Sequence, residues 1–489
     1  MYLKQAFAAA SLGVMLSGTS ALALTADQAW ADLKAAAIAG GVDLKAATEA
    51  TNDGMILLNG VSVGPMGGPT SMTISVVSIE EQDDGSVAFF PGDIRLTPTN
   101  GATVDVAHEE LAVTVFEDEG GLGYGVFADT LDFRFDSAPT AAAGQDRIAG
   151  DVKFTALEGT FGNGAEAKDL EILASTLIYN VTQVDTAAGI DTATSSQTGE
   201  INLSGTLTIP QGITLEQIET ASAFADALSK GLAVTASMSQ GVSSGRIDDR
   251  NPMFPLNATF EAQPSVTAFE ANEDSFRFQT SAPGIKLSVT PPGAPAALPI
   301  SADNFLMTYE MPVAAPEGGP FQFALKLGNL VLDETIWGMF DPAGALERTP
   351  ADLALDLSGT AKMDLVAMAV AEESGAVPPI PEPVSLDIKE LGLKLAGAAL
   401  SGTGAFTFDN SLLAMGGPPM PIGTANLRLE GGNKLIDGLI AIGMITEQDA
   451  MGARMGMAMF GKSEGDDILT SQIEAKEGGS IFVNGQQIQ

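Results

Sequence analysis

A chain of 489 residues that is 45% hydrophobic, free of cysteine and charged to −39 is too apolar for disorder. Its 62 acidic against 23 basic side chains repel phosphate backbones and anionic headgroups, which disfavours nucleic-acid binding and electrostatic docking on membranes. One histidine and no cysteine cannot assemble a zinc site of the usual kinds.

At the N-terminus, Lys4 supplies a positive start, Ala6 to Leu16 a short apolar stretch, and Ala21-Leu22-Ala23 an A-x-A cleavage site. Residues 1–23 therefore read as a secretory signal peptide, cleaved near Ala23, with a periplasmic destination. Ser11, Gly13, Ser17 and Gly18 interrupt the run, and a span needs about 20 apolar residues. The best later run, Leu435 to Ile445, is short and carries Asp437. No transmembrane helix is expected in the mature chain. The 489 − 23 = 466 remaining residues can bury one large or two medium cores without disulfide staples.

Thr25 and Gln28 have capping-box spacing, and Trp30, Leu33 and Ala37 share a helical face ahead of Gly40-Gly41. This predicts an N-terminal helix packed on the protein's own sheet. From Met55 the period becomes two. Met72/Ile74/Val76, Leu111/Val113/Val115 and Leu131/Phe133/Phe135 alternate, with turns at Asp83-Asp84-Gly85 and Glu119-Gly120-Gly121. Further alternations at Ile201/Leu203, Phe276/Phe278, Phe321/Phe323/Leu325/Leu327, Leu353/Leu355/Leu357 and Leu391/Leu393/Leu395 extend one antiparallel meander. Thr186 to Thr198, rich in Ala, Thr and Ser, reads as a hairpin loop.

Helices interrupt the strands. Thr214 to Lys230 is predicted mid-chain, Glu334 to Phe340 is stopped by Asp341-Pro342, and Lys434–Ile445 with Thr446–Phe460 forms a C-terminal helical hairpin. Two closing strands surround Glu477-Gly478-Gly479. The tetrapeptide Leu-Ser-Gly-Thr recurs at Leu203–Thr206, Leu357–Thr360 and Leu400–Thr403, with a near copy at Leu157–Thr160, as rungs of one sheet would. Pro-rich stretches at 291–299, 312–320, 377–383 and 418–421 read as connections. The first divides an N-terminal β-rich half, 24–290, from a C-terminal half, 291–489.

Catalytic apparatus is not evident. His108 sits in Ala107-His108-Glu109-Glu110 as a solvated turn residue, and no nucleophile elbow or phosphate loop occurs. Calcium would need only oxygen ligands. The acids at Asp83-Asp84, Glu117 to Glu119 and Glu464 to Asp467 lack EF-hand spacing and read as turn solubilisers. No cofactor is called for. An outer-membrane barrel lacks its aromatic girdles, at 6% aromatic residues. The most distinctive surface is the hairpin, where Met451, Met455 and Met459 recur at i, i+4, i+8 beside Met457. Flexible Met-rich faces line adaptable apolar pockets, so Leu439, Met444, Met451, Met455 and Met459 form the candidate apolar ligand or partner surface. The plainer expectation is that the methionines are core, packed on the sheet.

The C-terminal half also carries a resemblance. Asp303-Asn304-Phe305, Tyr309 to Pro312, Phe321 to Leu332, Ile336 to Pro342, Thr403 to Asn410, Met451 to Arg454 and Val483 to Gln486 resemble the alphaproteobacterial family called domain of unknown function 2125. The likeness covers about Asp303 to Gln489 and is looser, but colinear, before it. The family carries no assigned activity, so it transfers no site residues.

The fold expected is mainly β with a few helices: a large, twisted or curved antiparallel meander with an N-terminal helix, a mid-chain helix and a C-terminal helical hairpin. The function expected is a non-enzymatic binding or scaffold role in the cell envelope, with an apolar groove for lipid or an envelope protein. Two alternatives stay open: a purely structural protein without small ligand, and a carboxylate-based, calcium-assisted hydrolase.

Overall fold

The computed structural model describes residues 24–39, 41–52, 54–97, 102–118, 121–138, 145–164, 167–213, 218, 220–251, 255–291 and 296–488. The predicted signal peptide, Glu119-Gly120, Leu215 and the middle of the 291–299 stretch lie outside them. The chain is mainly β: among the described residues it has 62% strand, 16% helix and six α-helices. Every strand pairing described is antiparallel. Two compact units divide it: the first takes described residues of 1–208, 236–264 and 290–295, the second those of 209–235, 265–289 and 296–489.

In the first unit, helix α1 (Ala26–Ala39) starts where the Thr25 hydroxyl accepts from the Gln28 N–H at 3.2 Å. Its Trp30, Ala29 and Ala36 are buried on strands β1 (Met55–Pro65) and β2 (Met72–Glu81), against Ile56, Leu58, Val77 and Ile79. The predicted face is the buried one. A longer meander follows through β3 (Gly121–Asp136), β4 (Arg147–Asn163), β5 (Ala167–Asp185) and β6 (Ile190–Thr208). Its core is Leu131 and Ala128, Leu157 and Ala174.

Two expectations fail here. Thr186 to Thr198 is not a loop: residues 186–189 turn the chain and β6 begins at Ile190. Thr192, Thr194 and Thr198 sit in the ladder with β5, where β-branched side chains suit the pleat. Nor is His108 a solvated turn residue. It lies in the Thr103–Glu109 strand, half-buried, with its Nε2 2.9 Å from the Gly92 carbonyl oxygen, and the turn falls at Glu110, where φ is +55°.

The second unit contains β7 (Leu298–Pro312), β8 (Ala314–Leu332), β9 (Ala351–Asp364), β10 (Glu382–Leu395), β11 (Ala398–Asp409), β12 (Met420–Glu430), β13 (Lys462–Gly465) and β14 (Ile468–Ala475). They pair in that order except that β14 lies between β12 and β13. Pro312 to Pro320, expected as a connection between elements, lies largely in β8. The ladder with β9 shifts register between Ala315 and Gly319, and a bulge tolerates prolines that a regular central strand does not. The Leu-Ser-Gly-Thr copies all lie inside strands. The glycine makes room for a neighbour across the ladder: a Cβ on Gly402 would meet the Leu427 side chain at 2.5 Å.

Helix α2 (Ala221–Ser229) starts later than predicted, with Thr220 as N-cap, and a helix the sequence reading did not contain, α4 (Leu365–Ser374), packs on it. Ser222 Oγ donates to Glu373 at 2.5 Å across this pair. Between them in the chain, α3 (Glu334–Phe340) matches its predicted bounds, capped by Asp333. The hairpin consists of α5 (Gly432–Ala441) and α6 (Glu447–Phe460). Thr446, the predicted first residue of this helix, is its N-cap and forms a reciprocal capping box with Asp449. Helix α5 ends four residues early, so Met444 lies in the connection. Gly461 follows α6 in extended backbone, at φ −104°.

Candidate functional site

Side chains alternate across β7 to β14 so that one face is aliphatic and the other polar. On the aliphatic face, Phe305, Leu327, Leu353, Leu393, Leu400, Leu429 and Leu469 stand opposite one another from strand to strand. A parallel row runs Met307, Leu325, Leu355, Leu391. These side chains are half-buried except for Leu393, which is 42% exposed. Two bulges keep the rows in phase. One sits between Leu327 and Leu330, where Asn329 takes φ +53° and donates its N–H to Asp352 at 2.7 Å. The other inserts Lys389-Glu390 between Ile388 and Leu391.

The aliphatic rows run into a cavity of about 230 Å³. Leu330, Ala351 and Leu395 continue the strand rows into it, Trp337 and Phe340 enter from α3, and Leu435 and Leu439 from α5. Among the described residues its only charged lining residue is Arg348, which pairs with Glu334 and donates to the Asp341 carbonyl oxygen at 3.0 Å. Asp341 is fully buried, and its carboxylate accepts from the amides of Ala345 at 2.8 Å and Leu346 at 3.0 Å. That shapes the loop which carries Leu346 into the cavity wall. Two ties hold α5 over it. Lys434 pairs with Glu347, and Asp467 caps the helix from the β13–β14 turn, accepting from the Asn433 amide at 2.9 Å and the Lys434 amide at 3.1 Å. Burial raises the Asp467 pKa, but those amides and the Asn433 side chain outweigh it and hold the carboxyl below its ordinary value.

The five residues singled out from the sequence part company. Leu439 is half-buried in the cavity wall and Met444 stands at its rim, 66% exposed. Met451, Met455 and Met459 are 66%, 70% and 63% exposed on α6. The expectation that the methionine stripe is core fails. Ala450 and Met457 make the inward contacts instead: Ala450 is fully buried, and the Met457 sulfur would lie 3.2 Å from a Cβ on Gly432 of α5. Arg454, paired with Asp437, joins the two helices on their outer side.

The polar face of the same strands forms an open groove of about 1170 Å³. Its floor row runs Lys326, Ala354, Gly392, Ser401, Arg428, Thr470, Lys462. Lys326 donates to Glu390 at 2.5 Å and Lys394 to Asp352 at 2.8 Å. The Lys394 bond, and then the Asn329 amide, hold the Asp352 carboxyl below its usual range; Asp352 in turn raises Lys394, and Glu390 raises Lys326.

Of the carboxylates weighed for calcium, Asp84, Glu464 and Asp467 are already bonded within the chain. Asp84 accepts from the Ser86 N–H and hydroxyl, at 2.9 and 2.7 Å. Among the described residues no three His, Asp or Glu converge as metal ligands, and no helix is long and apolar enough to cross a membrane.

The profile of a family described as an uncharacterized protein conserved in bacteria, DUF2125, matches residues 180–475 of the 489. The chain belongs to the DUF2125 family. The match spans β7 to β14, α3 and the hairpin, so both faces of the sheet and the cavity lie inside the DUF2125 region. No curated protein and no solved structure matches this DUF2125 chain.

Proposed function

We propose that this DUF2125 protein is an exported, non-enzymatic binding protein of the periplasm, which holds the aliphatic chain of a lipid on the apolar face of its second unit. The observation that carries the reading is the run of half-buried Leu and Phe rows that ends in the cavity beneath α5. Ligand sites are concave and mostly apolar with few polar groups, and this cavity has a single charged residue at its wall. Its volume of about 230 Å³ exceeds the ~150 Å³ of an engineered apolar cavity that stays dry and admits benzene. An alkyl segment therefore fits. Each methylene transferred from water contributes about 0.8 kcal/mol.

Native mass spectrometry of protein prepared without detergent, followed by organic extraction, tests the reading. Near-stoichiometric fatty acid or phospholipid is expected. In Leu439→Trp the larger side chain displaces two methylenes of ligand, about 1.6 kcal/mol, and weakens palmitate binding roughly fifteenfold. A protein free of lipid that also fails to bind palmitate would leave a structural envelope role in its place.

A further inference from the structure

Acids outnumber bases 62 to 23 over the whole sequence, yet along the polar groove the balance inverts. Five bases (Lys326, Lys389, Lys394, Arg428 and Lys462) share it with four acids (Asp352, Glu390, Glu430 and Glu464). The groove carries 5 − 4 = +1 on a chain of −39, so it is a place where an anion can approach. Three of the bases are engaged: Lys326 and Lys394 as above, and Arg428 with Glu430 at 2.7 Å and Glu464 at 3.6 Å. Lys389 and Lys462 are exposed and make no ion pair among the described residues. Lys389 owes its place to the bulge. Ile388 and Leu391 both stay in the aliphatic rows, so the two residues between them are both left to the polar side.

We propose that the groove binds an acidic oligosaccharide, its anionic groups on Lys389 and Lys462 and its hydroxyls on the polar side chains between them. The floor is built of small side chains, Ala354, Gly392 and Ser401, which leaves a shallow trough crossing the strands. Six strand spacings of about 4.8 Å separate Lys326 from Lys462, or roughly 29 Å, the reach of an extended chain. The four carboxylates accept hydrogen bonds and offer none, so a ligand that is only anionic would be repelled by them. A ligand carrying both hydroxyl donors and negative groups satisfies carboxylates and lysines together. An acidic peptide fits less well. The backbone groups beneath the groove are spent in the ladder, so no strand can be added there, and among the described residues no aromatic side chain lines it as an anchor.

Calorimetric titration of the full chain with tetragalacturonate, with maltotetraose and hexaglutamate as comparisons, tests this. Tetragalacturonate is expected to bind, more weakly as salt is raised, and at least tenfold more tightly than either comparison. The double variant Lys389→Gln, Lys462→Gln is expected to lose at least tenfold in affinity while keeping the wild-type circular dichroism spectrum and melting temperature, both sites being exposed. Absence of tetragalacturonate binding, equal or tighter binding of hexaglutamate, or unchanged affinity in the double variant would each overturn the proposal. The groove lies on the face opposite the aliphatic rows, so palmitate binding bears on neither result.

Discussion

Asp341→Asn is the most informative single change to the cavity wall. The carboxylate is fully buried and each of its oxygens accepts one backbone amide, from Ala345 and Leu346. An asparagine keeps one acceptor and turns an NH₂ group toward the other amide. One charge-assisted bond, about 1.5–3 kcal/mol, is lost, and one buried N–H is left unsatisfied at about 1–3 kcal/mol. Relief of a buried charge offsets part of this, so we expect a net cost of about 3 kcal/mol. The chain supplies its own probe, because the second unit contains Trp337, in the helix that ends at Asp341, and the only other tryptophan is Trp30 in the first unit. Trp30→Phe silences that signal without removing a hydrogen bond, since the buried Trp30 Nε1 has no hydrogen-bond partner in the structure. In that background, urea unfolding followed by Trp337 fluorescence should shift to lower midpoint by on the order of 1 M, for a slope of about 3 kcal/mol/M. A shift below about 0.2 M would refute the argument that the two amide bonds shape this wall.

Asp467 makes a pH-dependent contribution. Its folded pKa is depressed below the ordinary 3.8, so its stabilisation is complete above the unfolded value and is lost as pH falls through the folded one. Asp467→Ala should cost about 1–2 kcal/mol at pH 7, as a lost helix cap does, with the gap to wild type closing below about pH 4 in thermal melts. Replacing Met451, Met455 and Met459 together by Gln should leave the melting temperature unchanged, because all three are exposed, whereas Ile436→Ala, at a buried site in α5, should cost about 2–4 kcal/mol. Gly359→Ala should cost about 3 kcal/mol or more in chemical unfolding, since its Cβ would lie 2.0 Å from the Ser385 carbonyl oxygen, which belongs to backbone and cannot rotate away.

Much of the fold was legible where local chemistry and tertiary packing agree. Trp30, Leu33 and Ala37 announced the buried face of α1, Asp341-Pro342 the end of α3, and Thr446 the start of α6. Errors arose where polar or proline-rich composition stood in for loop. Thr192 to Thr198 are polar, but they sit in a ladder with β5, and the prolines of β8 are accommodated by a register shift visible only once β9 is paired with it. Helix α4 was missed because Leu-Val-Ala-Met-Ala-Val has no one-sided stripe. Its signals were the ends, Asp364 capping the Ala367 amide and Gly375 in the left-handed region. For the site, Leu439 and Met444 were found from the hairpin, but Trp337, Leu346 and Leu395 were not tied to them. They are brought together by pairings between segments far apart in the chain. The polar groove was hidden for a further reason: its five bases come from four strands, and none forms a run.

The bulge at Lys389-Glu390 acts on its strand much as an inserted letter acts on a text read two characters at a time. Upstream of it Leu386 and Ile388 fall in the aliphatic phase, and downstream Leu391 and Leu393 do so again, although the spacing between Ile388 and Leu391 is odd. Removing Lys389 would bring Ile388 and Leu391 to an even spacing, at which a regular strand already keeps both on one face, so the bulge would have nothing left to absorb. The aliphatic rows would run on unbroken, while the polar surface would lose the side chain that the extra residue lends it. A feature of the polar face can therefore be written in or out by a single codon without disturbing the leucines behind it.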